Sequence, residues 1–322
     1  MNYLVTGAAG FIASRVAHQL LDQGHEVVGL DNLNDYYDVR IKRHRLEALK
    51  GRSGFTFQPL DIEDRAALEP LFRANKFDAI LNLAARAGVR YSVENPYVYL
   101  STNATGTLNL LELMRHRGVR KMVLASTSSL YAGQPMPFHE ELPVNTPIST
   151  YAATKKAAEM LCHSYHHLFD LDISIVRYFT VYGPAGRPDM CMFRFIKWID
   201  EGTELEIFGD GSQCRDFTFV EDVARGSILA LKPLGYEVVN IGGGKAPTTI
   251  NEVIAGIERR LGKKAKCRYM PFHKADISET RADISKAARL LGWTPEVDLE
   301  EGITRTVDWY VANRSWVKDV AL

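Results

Sequence analysis

The chain has 322 residues, enough for one large or two ordinary domains with a sizeable core. Lys and Arg number 39 and so do Asp and Glu, so zero net charge leaves no global electrostatic reason to expect nucleic acid or an anionic membrane as a partner. The 4 cysteines, Cys162, Cys191, Cys214 and Cys267, are widely spaced, with no CxxC and no His cluster, so reduced structural thiols are expected, with no disulfide framework and no metal site.

The N-terminal Met1-Asn-Tyr-Leu-Val enters a strand without a basic leader or an apolar signal segment. No apolar run is long enough to span a bilayer, and a soluble cytoplasmic protein is the expectation. Tyr3 to Thr6 reads as a buried strand, Ser14 to Gln23 as a helix ending at Gly24, and Glu26 to Asp31 as the next strand. Between the first two lies Gly7-Ala-Ala-Gly10-Phe-Ile-Ala13, a glycine-rich turn opening a helix. In a βαβ unit of about thirty residues, Gly7 permits the tight turn and Gly10 lets backbone approach a pyrophosphate. The small Ala13 lets helix and strand pack closely, and the helix N-terminus offers free N–H groups to the phosphates. Asp31 ends the second strand, where a carboxylate accepts from both ribose hydroxyls and repels a 2′-phosphate. A dinucleotide site with NAD favoured over NADP follows.

Residues 32 to 50 are polar, with Tyr36, Tyr37 and a basic run from Arg40 to Arg45, and read as a solvated loop and helix near the adenosine. Phe55 to Leu60 is a third strand, and Asp61-Ile62 at its end suits an adenine contact. Leu68 to Ala74 is helical, and Ala79 to Leu83 is a fourth strand leading Ala84-Ala85 past the pyrophosphate. Arg86 and Arg90 lie in a loop and read equally well as surface charges. Tyr97 to Arg115 is a helix with more apolar surface than one buried stripe needs, which suggests a partner helix. This strand–helix rhythm predicts an α/β fold, a Rossmann-type doubly wound parallel sheet with ligands outside the carboxyl ends of its strands.

Lys121 to Ala125 is a strand delivering the hydroxyls Ser126-Thr127-Ser128-Ser129, and Tyr151 and Lys155 follow on a helix, one turn apart on one face. An ammonium held beside a phenol lowers the phenol's pKa toward neutrality, making a general base. A YxxxK pair also arises by chance on solvated helices; here a strand of hydroxyls precedes it and a nucleotide turn opens the chain. Ile173 to Phe179 is a further strand. Beyond Thr180 the rhythm changes: a Gly/Pro loop carries Arg187, Met192 to Ile199 is helical, Leu205 to Phe208 is a short strand, and Val238 to Ile241 returns to the sheet. The remainder reads mostly as amphipathic helix around Arg268-Tyr-Met270. The expected division is a Rossmann domain over 1–178, with 217–241 returning to it, and a smaller mixed α/β substrate domain from 179–216 and 242–322.

The glycine turn, the hydroxyl cluster, Tyr151xxxLys155 and Arg215-Asp-Phe217 together resemble the extended short-chain dehydrogenase/reductases of the nucleotide-sugar epimerase/dehydratase type, over essentially the whole chain. Three stretches are most similar to the UDP-glucuronate 4-epimerases: Asp31-Asn-Leu-Asn-Asp-Tyr-Tyr37, Ala84-Ala-Arg-Ala-Gly-Val-Arg90-Tyr91, and Phe179-Thr-Val-Tyr-Gly-Pro-Ala-Gly-Arg187-Pro-Asp189. Ala13 and Tyr131-Ala-Gly133 depart slightly from the usual pattern. The resemblance implies NAD reduced and reoxidised within one turnover, and C4 inversion of a UDP-sugar through a 4-keto intermediate. It implies that Tyr151 exchanges the C4 hydroxyl proton, that Lys155 lowers the Tyr pKa and bonds the nicotinamide ribose, and that Thr127 bonds the same hydroxyl. Cofactor contacts are implied at Gly7, Gly10, Phe11, Ile12, Asp31, Asn32, Asp61, Ile62, Leu83, Ala84, Ala85, Tyr151, Lys155 and Tyr178. Arg90, Arg215 and Arg281 are implied on the UDP side, with a surface ion pair as the competing role for Arg281. Ser128, Ser129, Thr180 and Arg187 resemble the residues that receive a uronate carboxylate, and the resemblance also implies a homodimer.

Four rivals remain. A dehydratase needs an Asp-Glu pair after Thr127, where Ser128-Ser129 stands. A UDP-glucuronate decarboxylase typically carries Glu at the position of Ser129. A UDP-glucose/UDP-galactose 4-epimerase would share the chemistry without the carboxylate. A non-catalytic NAD-binding protein would not need Thr127, Tyr151 and Lys155 intact.

Overall fold

Short apolar runs between turn residues become parallel strands here, and the amphipathic stretches joining them become helices. The computed structural model describes residues 1–271 and 279–322. In chain order these are β1 (Asn2–Thr6), α1 (Phe11–Asp22), β2 (Glu26–Leu30), α2 (Val39–Lys50), β3 (Phe55–Gln58), α3 (Arg65–Ala74) and β4 (Ala79–Asn82). A helical run follows: α4 (Tyr91–Glu94), α5 (Pro96–Tyr99), a π-helical stretch Leu100–Thr105, and α6 (Gly106–Arg117). Then come β5 (Lys121–Thr127), a 3₁₀ turn Ser128–Tyr131, α7 (Thr150–Phe169), β6 (Asp172–Tyr178) and β7 (Thr180–Tyr182). The later part holds α8 (Cys191–Glu201), β8 (Glu204–Phe208), β9 (Cys214–Arg215), β10 (Phe217–Phe219), α9 (Val220–Leu229) and β11 (Tyr236–Ile241). It ends with β12 (Thr248–Thr249), α10 (Ile250–Leu261), β13 (Lys266–Met270), α11 (Ser285–Leu291), α12 (Leu299–Ala312) and a short α13 (Arg314–Val317).

Seven parallel strands form one sheet in the order β11-β6-β5-β4-β1-β2-β3. Successive residues send side chains to opposite faces. Val5, Leu81, Val123 and Val176 join a core with α1, α9 and Trp293, while Leu4, Ile80, Met122 and Ile175 join one with α3, α6 and α7. Burial on both faces is why the strands read as continuous apolar runs. The chain leaves β1 in one direction to β2 and β3 and returns to β4 on its other side, which opens a crevice at the carboxyl ends of β1 and β4. Thr6 stands opposite both Leu30 and Asn82, so β1, β2 and β4 end level at that crevice. Thr127 ends β5 opposite Tyr178 of β6.

The buried stripe of α7 is Ala152, Lys155, Ala158, Glu159 and Cys162, so two charged residues sit on its core-facing side. Ser149 caps its N-terminus by accepting from Ala152 N at 3.2 Å. Around α8, α10 and α12 a third apolar core gathers Phe193, Ile196, Leu205, Ile257, Val307 and Tyr310. The stretch around Arg268–Met270 corrects the helical reading: Lys266–Met270 is a strand, pairing in parallel with β8. Helices flank it on either side, but backbone pairing to β8 outweighs the local pattern. The basic run from Arg40 to Arg45 is not simply solvated either. Lys42 and Arg45 are buried: Lys42 Nζ donates to the Asn34 carbonyl at 2.8 Å, and Arg45 donates to the carbonyls of Ala9 in the glycine turn and Ala185 in the loop after β7.

Candidate active site

One cavity of about 690 Å³ runs along the carboxyl ends of the strands, from the glycine turn to β9. At one end Gly7 adopts φ +72, and a Cβ there would lie 2.9 Å from the Ala84 backbone. A Cβ on Gly10 would lie 2.7 Å from the Gly7 carbonyl oxygen. Only glycine gives this turn and this close approach. Gly10 precedes α1 with no side-chain cap, so first-turn N–H groups remain for a ligand. Thr6 Oγ1 accepts from Leu83 N and Ala84 N at 3.1 and 3.0 Å and donates to Asn82 Oδ1 at 2.8 Å, which ties β4 to the turn.

Asp31 is buried at the end of β2, accepting from Ala9 N at 3.1 Å and Leu33 N at 2.8 Å. Each carboxylate oxygen has a second lone pair, so the group can still accept from a ribose. Asn32 donates to Asp61 at 2.6 Å, joining two of the expected adenosine contacts. Phe11, Ile12, Asp61, Ile62, Leu83, Ala84, Ala85 and Tyr178 line the same cavity. The Tyr178 hydroxyl itself turns away to Ser227, at 2.7 Å. A diphosphate-sized turn, a ribose-height carboxylate and an apolar slot suit a dinucleotide, so these residues fit NAD.

At the middle of the cavity stand Thr127, Ser128, Ser129, Tyr151, Lys155, Thr180 and Arg187. Thr127 Oγ1 donates to Ser129 Oγ at 3.1 Å and accepts from Ser129 N at 3.1 Å, so the 3₁₀ turn folds its hydroxyls toward one point. Lys155 Nζ donates to the Ala125 carbonyl at 2.9 Å. Burial lowers the Lys155 pKa to about 8, and Glu159 works against that shift. The phenol of Tyr151 departs from expectation. Burial raises its pKa, while a side-chain hydrogen bond to Thr127 and the charge of Arg187 pull it down. Desolvation of the phenolate therefore outweighs the stabilising charges, and Lys155 is not among the groups acting on it.

Arg187 forms a two-point pair with Asp189, Nε to Oδ1 at 3.0 Å and Nη2 to Oδ2 at 2.6 Å, and Nη2 also donates to the Ala87 carbonyl at 3.2 Å. At the far end Arg90 and Arg215 line the cavity, and the Arg90 guanidinium lies 4.2 Å from the Phe208 ring centroid. Arg281 is not brought into it. Thr280 and Ala282 are buried and Arg281 is exposed between them, because Phe138 pairs with Ala282 and holds the segment extended. The Arg281 charge still acts on the buried Asp216 carboxyl, against the larger effect of burial there.

Sequence reasoning missed Tyr36, Lys42, Arg86 and Arg194, all of which line the cavity. Arg194 sits on α8 with its Nε buried and without a hydrogen-bond partner, its guanidinium 4.4 Å from the Trp198 ring centroid. In the sequence it is one residue of the helical stretch Met192 to Ile199, with no motif to mark it. Asn103 was also missed: it accepts from Arg86 N at 3.0 Å and donates to Thr154 at 3.1 Å, clamping the Arg86 loop to α7. Among the described residues there is no group of three or more His, Cys, Asp and Glu that could hold a metal, and no helix long and apolar enough to cross a membrane.

Residues 3–242 match the model of the NAD dependent epimerase/dehydratase family. The chain belongs to that family. A UDP-glucuronate 4-epimerase of Thermodesulfobacterium geofontis is 60% identical over 318 residues, covering 99% of this chain and 98% of that protein. The crystal structure of a Bacillus cereus UDP-glucuronic acid 4-epimerase with UDP-glucuronic acid and NAD superposes with a TM-score of 0.91 at 38% identity, covering 97% of this chain and 100% of the other. A Thermotoga maritima UDP-glucose 4-epimerase with UDP-glucose gives 0.89 at 34% identity, covering 98% and 100%. As a family member the protein is an NAD-dependent nucleotide-sugar epimerase.

Proposed function

We propose that the protein interconverts UDP-glucuronate and UDP-galacturonate by inverting C4 through a 4-keto intermediate. The observation that carries this reading is the convergence of Thr127, Ser128, Ser129, Thr180 and Arg187 around Tyr151 in one cavity. When bound, NAD supplies a reversible two-electron acceptor beside that point. Tyr151 takes the proton of the C4 hydroxyl and returns it after the ketone has presented its other face. Thr127 hydrogen-bonds Tyr151 and shares the proton's position, which eases a transfer that burial alone would oppose. Lys155, fixed by Ala125, holds the nicotinamide ribose. Arg90 and Arg215 take the diphosphate side, as guanidinium forks suit.

The carboxylate is the distinguishing group. A 4-keto hexuronate is a β-keto acid, which loses CO₂ when its carboxylate bond stands perpendicular to the carbonyl plane. Ser128, Ser129, Thr180 and the Nη1 side of Arg187 are assigned to hold that bond out of alignment. No carboxyl group replaces Ser129, which favours epimerisation over decarboxylation.

Arg187→Ala tests the assignment. It deletes a charge-assisted hydrogen bond of about 1.5–3 kcal/mol, so use of UDP-glucuronate should fall more than use of UDP-glucose. A 4-keto-pentose should appear by NMR, with reduced cofactor accumulating by absorbance. Equal losses on both sugars without decarboxylated product would remove Arg187 from the site.

A homodimer is part of the same proposal. Tyr97 is 81% exposed and Leu168 65%, and Leu100 and Met160 are also exposed, on neighbouring helices. Pairing the 97–115 and 151–169 helices with those of a second chain would cover them in a two-fold four-helix interface. Light scattering at micromolar concentration should give twice the chain mass; a monomer would contradict the arrangement.

A further inference from the structure

The two tyrosines of Asn34-Asp-Tyr-Tyr37 do not face solvent near the adenosine; the loop carries both to Arg187. The Arg187 guanidinium carbon lies 5.6 Å from the Tyr36 ring centroid and 5.8 Å from that of Tyr37, both within cation–π range. Each ring is itself held. Tyr37 accepts from Arg45 Nη1 at 2.8 Å, and Arg45 also donates to the Ala185 carbonyl at 2.9 and 2.7 Å, in the loop that bears Arg187. The Tyr36 hydroxyl hydrogen-bonds both Arg187 and Tyr99, and the Tyr99 ring packs edge-on at 6.1 Å from that of Tyr151. A Cβ on Gly88 would lie 2.6 Å from the Tyr36 hydroxyl, so the residue opposite leaves room for this placement.

We propose that Tyr36 and Tyr37 are specificity-determining positioning residues, an aromatic clamp that aims the Arg187 fork at the carboxylate of a hexuronate substrate. The inference rests on the reading of Arg187 given above. A free arginine in a Gly/Pro loop would sample many rotamers, and Asp189 alone would draw it away from the sugar. The rings restrict it further, while Asp189 holds Nε and Nη2 and only the Nη1 side is left for the substrate. Neutral sugars, lacking the carboxylate, gain nothing from the clamp.

Calorimetric titration of the NAD-loaded protein with UDP-glucuronate and UDP-glucose tests this. Tyr36→Leu should weaken UDP-glucuronate about tenfold, the loss expected of one desolvated cation–π contact, and UDP-glucose about twofold or less. Tyr36→Phe, which keeps the ring but loses the hydroxyl's bond to Arg187, should restore part of the difference. Adding Tyr36→Leu to Arg187→Ala should cost no further selectivity. If Arg187→Ala is selective but Tyr36→Leu weakens both sugars equally, the clamp is wrong and the Arg187 reading stands. If Arg187→Ala is itself unselective, that reading falls and takes the clamp with it. Tyr36→Phe as damaging as Tyr36→Leu would also overturn the clamp. Should Tyr36→Leu fail to fold, Tyr37→Leu carries the same comparison.

Discussion

Replacing Tyr151 by Phe is expected to slow C4 inversion by about 10² or more, with the NAD content of the purified protein unchanged. The ring contacts that seat Tyr151 survive the substitution: its neighbour Tyr99 packs edge-on with ring centroids 6.1 Å apart. What disappears is the one oxygen that Thr127 hydrogen-bonds and that Arg187 stabilises. Thr127 and Ser129 stay bonded to each other at 3.1 Å, but no group of suitable acidity remains beside C4, and a threonine hydroxyl is too weak a base to take over. The raised pKa sharpens the expectation. A phenol that prefers to stay protonated depends on its partners at the moment of transfer, so Thr127→Ala should show a smaller loss in the same direction. A Tyr151→Phe rate near that of the parent protein, measured by NMR on UDP-glucuronate, would take Tyr151 out of the chemistry.

The residues legible in the sequence were those whose roles follow from local spacing. Gly7 and Gly10 sit three apart because a turn of that length must approach a phosphate. Tyr151 and Lys155 sit four apart because a helix stacks them, and Asp31 follows its strand directly. The residues that escaped notice act across long separations. Arg45 and Lys42 look like one basic run, yet α2 buries both, and Arg45 reaches Ala185 140 positions away. Tyr36 and Tyr37 look like loop polarity, and only the path of the loop across the crevice brings them to Arg187. Arg194 is disguised by a regular helical position. The Tyr151 pKa misled for a different reason: the Lys155 charge was visible in the sequence, whereas the depth of the pocket was not. Arg281 stands exposed between buried Thr280 and Ala282, in a segment bridged by Phe138 far back in the chain, a placement that spacing alone does not show.

The largest loss of stability is expected from Arg177→Met. Arg177 is 3% exposed and Glu159 1%, and they meet fork to fork, Nε to Oε1 at 2.9 Å and Nη2 to Oε2 at 2.7 Å. The remaining groups are satisfied as well. Arg177 Nη1 donates to the Tyr131 hydroxyl at 2.8 Å, Tyr131 donates to Asn240 at 2.8 Å, and Ser126 donates to Glu159 at 2.7 Å. One network therefore joins β5, β6, β11 and α7 directly behind the catalytic hydroxyls. The pair itself contributes little net stability, because desolvating two ions offsets most of their attraction, but a lone buried carboxylate is costly. Arg177→Met leaves Glu159 without its fork partner, held by the Ser126 hydroxyl, with Lys156 Nζ at 3.7 Å and a buried Lys155 one turn away. A loss of about 3–5 kcal/mol is expected, read as a lower midpoint in urea denaturation. Adding Glu159→Leu should recover part of it, since the uncompensated charge goes while Ser126 and Tyr131 stay short of a partner. A loss below about 1 kcal/mol in the single variant would mean that water reaches Glu159 and that the network is not closed.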